Sequence, residues 1–122
     1  MRKSILAASL ILLSIQTFAN APTPQFLYKI VTPSAWRESQ GMQSIALNST
    51  DEPFILLTRE DQLTHVLNEK WRNAPAIVLK LDASKLVGNL VFEEDAKVSG
   101  EYYHLYSGQI PQNAVIEIDN WN

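Results

Sequence analysis

The spacing of apolar and polar positions predicts a chain of short elements. Phe26 to Val31 combines aromatic and β-branched residues and reads as a strand, ending at Thr32-Pro33, where threonine suits an N-cap and proline the first helical turn. A short, weakly amphipathic helix follows from Ser34 to Gln40 and stops at Gly41. Phe54 to Leu57 is an apolar run that fits a buried strand. Thr58-Arg59-Glu60-Asp61 resembles a capping box, after which Leu63, Val66, Leu67 and Trp71 mark one apolar face of a helix closed by Ala74-Pro75. Strands are expected at Ala76 to Leu81, Leu90 to Glu93, Glu101 to Tyr106 and Ala114 to Ile118, with a single helical turn at Asp82 to Lys85. The order β-α-β-α-β-β-β-β lacks the helix after every strand that a doubly wound parallel sheet needs. The expected class is α+β: one small domain, a bent mixed or antiparallel sheet and two main helices.

The pattern changes character before Phe26. Arg2 and Lys3 precede an apolar run from Ile5 to Ile15 and a small-residue end at Thr17-Phe18-Ala19-Asn20-Ala21, the layout of a secretory signal peptide. The run is short of the roughly 20 residues that span a bilayer, so no stable membrane anchor is expected. Cleavage after Ala19 is preferred to cleavage after Ala21, because Pro22 would then adjoin the scissile bond. The expected organisation is a signal peptide over 1–19, an extended linker over 20–25 and a single domain over 26–119, exported to the periplasm or beyond. The chain has no cysteine, so the core must stabilise an exported domain without disulfides. Its 13 acidic residues outnumber 10 basic ones for a net charge of −3, which becomes −5 when Arg2 and Lys3 leave with the leader. That balance argues against nucleic acid as a partner, since such binding depends on Lys and Arg neutralising phosphate.

Strong catalytic motifs are absent: there is no phosphate-binding glycine loop, no Gly-x-Ser-x-Gly, no cysteine nucleophile and no histidine pair at metal-ligand spacing. Isolated side chains remain. His104 alternates with Tyr102 and Tyr106 on one strand face, either as a ligand-binding imidazole between phenols or as a hydrogen-bonded sheet histidine. Glu93 is a site acid or a solvated strand end. Lys29 interrupts an apolar strand as a ligand contact or an outward lysine, and Trp36 is a stacking ring or a core anchor. His65 reads as helix surface.

Leu27-Tyr28-Lys29-Ile30-Val31-Thr32 with Ala35-Trp36, Pro53-Phe54-Ile55-Leu56-Leu57-Thr58 with Gln62-Leu63, Val78-Leu79-Lys80-Leu81-Asp82, Phe92-Glu93, and Tyr103-His104-Leu105-Tyr106 with Ala114-Val115 together resemble the bacterial family known as domain of unknown function 952. The resemblance covers Phe26 to Ile118. It implies an ADP-ribosyltransferase-like fold, a split, bent sheet whose active members bind NAD in a central cleft. On that resemblance Thr32, Trp36, Glu93, His104 and Tyr106 are retained, whereas Lys29 and Leu56 stand where the family has histidines. In related transferases the first-strand histidine helps hold the ribose, and an ammonium does not reproduce imidazole geometry.

Three functions are therefore weighed. The first is a noncatalytic exported domain that keeps a cleft and binds a small molecule or a protein, with Lys29, Thr32, Trp36 and Tyr106 as ligand contacts. The second is a transferase or hydrolase acting on NAD or ADP-ribose, with Glu93 orienting the ribose or acting as base and His104 binding the ligand. The third is a structural interaction module without a pocket. The first two expect Lys29, Glu93 and His104 to converge on one hollow.

Overall fold

In a computed structural model, residues 22–48 and 50–121 are described; the expected signal peptide and the start of the linker lie outside them. The strands are β1 (Phe26–Val31), β2 (Phe54–Leu57), β3 (Ala76–Asp82), β4 (Val87–Glu94), β5 (Glu101–Gln109) and β6 (Val115–Trp121), and the helices α1 (Pro33–Glu38) and α2 (Leu63–Lys70). The expected order of elements is met. The α+β class holds as well, the strands forming two three-stranded sheets, β1-β3-β6 and β2-β5-β4, with every pairing antiparallel. They touch where Tyr28 and Thr58 exchange backbone hydrogen bonds of 2.8 and 2.9 Å. Beyond that bridge β1 and β2 part.

Side-chain alternation decides how the layers stack. On β1, Leu27 and Val31 face a main core shared with Ile55 and Leu57 of β2 and with Leu79 and Leu81 of β3. The other face of β1 and β3, through Ile30 and Val78, joins Val66 and Leu67 of α2 and Tyr102 of β5 in a second cluster. Burying both faces explains why β3 is apolar at nearly every position.

Local capping follows the sequence at α1 and departs from it at α2. Thr32 Oγ1 accepts the Ala35 N–H at 3.0 Å, as a threonine N-cap should. The capping role expected of Thr58 passes to the next residue. The chain enters α2 through a 3₁₀ turn, Glu60–Gln62, and Gln62 Oε1 accepts the Arg59 N–H at 3.0 Å. Thr58 is instead drawn into the bridge with Tyr28, which buries its side chain to 1% exposure. β5 continues past Tyr106 through Ser107 and Gly108. Gly88 on β4, at φ +129, lies so close there that a Cβ would stand 2.7 Å from the Gly108 Cα. β6 ends at Trp121, beyond the expected boundary at 119.

Candidate functional site

Where the two sheets part, a cavity of about 590 Å³ opens beside the bridge. Its floor is β1 and β2, its sides the 48–53 loop and α2, and its remaining wall the 95–98 turn. Phe54, Leu56, Val66, Trp71 and Val98 give it an apolar lining. The volume suits a small ligand, for which pockets of roughly 300–1,000 Å³ are usual.

Among these apolar groups sits a buried ion pair. Lys29 Nζ donates to Asp51 Oδ1 at 2.7 Å, both side chains being 5% exposed, and Asp51 Oδ2 accepts the Asn48 N–H at 2.7 Å. The reading of Lys29 as an outward lysine is thereby corrected. It alternates with Leu27 and Val31 and must face inward with them. Burial pushes the ammonium below its ordinary value of 10.5, and the adjacent Asp51 carboxylate opposes that shift by Coulombic attraction and hydrogen bonding. An ammonium carries three N–H donors, and one is engaged by Asp51 among the described residues.

Thr58 and Asn48, two residues of the cavity wall, each keep a side-chain oxygen, Oγ1 and Oδ1, buried without a hydrogen-bond partner among the described residues. Most buried polar atoms in folded proteins have partners, so two on one wall mark the place where hydrogen-bonding capacity is unspent.

His104 lies in a second cluster, one layer away. On β5 it stands opposite Leu56 and Val91, and Phe54 stacks on its ring at 3.8 Å between centroids and 15° between planes. Its Nδ1 meets Glu93 Oε2 at 2.7 Å and its Nε2 meets Asp95 Oδ2 at 2.9 Å. The Tyr106 hydroxyl also donates to Glu93 Oε2. A neutral imidazole has one N–H, so satisfying both contacts takes a second proton, on the ring or on a carboxyl group. Hydrogen bonds from Tyr106 and then from His104 hold the Glu93 carboxyl below its ordinary value, and the same Glu93 oxygen raises the Tyr106 phenol. Asp95 Oδ1 accepts the backbone N–H groups of Lys97 and Val98 at 2.7 and 2.9 Å. His104 thus anchors the turn that carries Val98 and Asp95 to the cavity wall.

Lys29, Glu93 and His104 do not converge on one hollow, contrary to expectation. Lys29 and Thr32 line the cavity, whereas Glu93, His104, Tyr106 and Trp36 do not. Trp36 is half-buried against the main core, its core-anchor reading. His65, on the exposed side of α2, pairs with Glu69 at 3.1 Å. Sequence reasoning missed Asp51 and Asp95. Asp51 lies in a turn-rich stretch whose burial depends on a lysine 22 positions earlier. Asp95 bonds the N–H groups just after it, a local aspartate turn that its sequence context allows. Among the described residues, no group of three or more His, Asp or Glu side chains is placed to hold a metal ion.

The Protein of unknown function (DUF952) family model matches residues 30–118. The chain belongs to this family. Two crystal structures share the DUF952 chain's fold: protein CC0527 from Caulobacter crescentus, at 19% identity, TM-score 0.67, covering 80% of this chain and 86% of that one, and a double mutant of CC0527 at 18% identity, TM-score 0.66 and the same coverage. No curated protein matches.

Proposed function

We propose that this DUF952 chain is an exported, noncatalytic domain that binds a small molecule in the cavity between its two sheets. The observation that carries the reading is the cavity itself: a space of ligand size whose apolar lining is interrupted by the Lys29–Asp51 pair, with N–H capacity left on the ammonium. A purely structural module has no use for a space of that size beside a buried ammonium with donors to spare. The noncatalytic part rests on Glu93 and His104. Their polar atoms are engaged with one another, with Asp95 and with Tyr106, away from the cavity. Kinship with the ADP-ribosyltransferase fold is supported by the split between β1 and β2, where a cleft is expected in that fold. Export is supported by the basic start, apolar run and small-residue end of residues 1–21.

The binding claim is tested by titrating the purified chain with N-phenyl-1-naphthylamine, a neutral dye that brightens in apolar surroundings. Fluorescence should rise saturably in the wild type and fail to do so in Leu56→Trp or Val66→Phe, each of which fills the cavity. Equal brightening in wild type and in both folded variants would overturn it. Titration with NAD and ADP-ribose should give no turnover of either. Cell fractionation should recover a shortened chain outside the cytoplasm, and a full-length cytoplasmic chain would contradict export.

A further inference from the structure

The charged groups that line the cavity are not equally committed. Lys29 and Asp51 neutralise each other, and Asp95 is held by His104 and by the N–H groups of Lys97 and Val98. The exposed side chains of Lys70, Lys97 and Glu52 are left. Neither lysine makes an ion pair among the described residues. In a chain of net charge −3, the opening of the cavity therefore carries a surplus of positive charge.

The two lysines reach that opening from adjoining walls. Lys70 ends α2 one residue before Trp71, and Lys97 stands one residue before Val98 on the 95–98 turn. Val98 packs with Val66 and Leu67 of α2, and Trp71 lies against the same cluster, so helix and turn meet there. The Lys97 N–H donates to Asp95 Oδ1 at 2.7 Å, which fixes the turn that carries it. The cavity itself is faced by the half-buried side chains of Phe54, Leu56 and Trp71. Apolar walls under a cationic rim suit an amphiphile, whose chain leaves water while its head stays in it. An anionic head placed at Lys29 would instead be desolvated beside Asp51, a cost that the exposed ammonium groups do not impose.

Deepening the ligand-binding reading, on which it rests, we infer that the cavity binds a single-chain lipophilic carboxylate of the fatty-acid class, its alkyl chain against Phe54, Leu56 and Trp71 and its head at the opening with Lys70 and Lys97. The chain supplies the affinity, each buried methylene adding about fourfold. The lysines choose the sign of the head. Because both are exposed, their attraction for it is worth only about fivefold together.

The test is displacement of the naphthylamine dye by hexanoate, octanoate, decanoate, decanol and decylamine at neutral pH and low ionic strength, in the wild-type chain and in the double variant Lys70→Gln/Lys97→Gln. Affinity should climb about fourfold per methylene from hexanoate to decanoate, and decanoate should displace dye at lower concentration than decylamine. The double variant, whose two changes lie on exposed side chains, should keep its thermal midpoint, lose about fivefold in decanoate affinity and hold decanol to within about twofold. Affinity that does not climb with chain length, decylamine binding more tightly than decanoate, or a decanoate affinity unchanged in the folded double variant would each overturn the inference. If neither the acids nor decanol displaces a dye that still binds the wild type and not Leu56→Trp, the lipophilic-carboxylate assignment fails and the binding cavity stands. Loss of saturable dye binding to the wild type takes down both.

Discussion

Two polar clusters lie one layer apart, and each sets a nitrogen group against carboxylates. Around His104 the buried polar atoms are used: both ring nitrogens and both Asp95 oxygens are engaged within the chain, as is Glu93 Oε2. Around Lys29 the pairing stops early, leaving N–H capacity on the ammonium and two buried oxygens without partners on residues of the cavity wall. The first arrangement is what a histidine does when it holds a fold together, and the second is what a site does before its ligand arrives. An imidazole between phenols is therefore the less informative cluster, although it drew the first functional reading.

The contrast predicts its largest effect at Lys29. Lys29→Met leaves Asp51 buried without its cation and should lower unfolding stability by about 3–5 kcal/mol in a urea titration. Combining it with Asp51→Asn removes both charges, while the new amide oxygen can still accept the Asn48 N–H. The double variant should recover most of the loss yet bind the naphthylamine dye more weakly. Full binding in the double variant would show that the pair belongs to the fold alone.

Next in size is His104→Phe. The ring can still stack on Phe54, but Asp95, whose side chain is 5% exposed, loses its partner. Stability should fall by about 3 kcal/mol, with dye affinity changing less than the stability loss would suggest. Dye binding abolished in a folded His104→Phe protein would place the imidazole in the site.

A smaller effect separates the clusters by pH. Glu93 has its carboxyl held below the ordinary value of 4.5, so its folded form binds fewer protons than the unfolded chain in that range. Its contribution is present above the unfolded value and is lost as pH falls through the lower folded value. Tyr106→Phe deletes the first cause of the shift. The acid limb of stability should then flatten, while dye affinity at neutral pH stays unchanged. An unchanged acid limb would show that the phenol does not support Glu93.

The same division explains what could be read from the chain. Elements with a clean period were legible: Phe26–Val31 and Phe54–Leu57 carry the right residues, and Val66 and Leu67 of α2 face inward as their spacing requires. β5 ran further than expected because Ser107 and Gly108 weaken a strand signal while the close approach of Gly88 keeps the pairing alive. Lys29 was ambiguous, since both of its strand's faces are apolar and alternation alone does not tell inside from outside. The resemblance implied a split sheet, but where the two halves touch, and with it the cavity, depends on the long-range bridge between Tyr28 and Thr58 and was not legible from either segment. The resemblance to DUF952 located Glu93 and His104, but not the cavity, because its loop wall lies in stretches without periodicity.

The central claim is that binding capacity resides in the cavity beside Lys29 and not at His104. Methyl and backbone NMR of the chain during titration with N-phenyl-1-naphthylamine tests it most directly. The account predicts saturable shift changes at Ile30, Leu56, Thr58 and Val66, with Tyr106 and Trp36 still. Changes centred on His104, Glu93 and Tyr106, with Thr58 and Val66 unmoved, would contradict it.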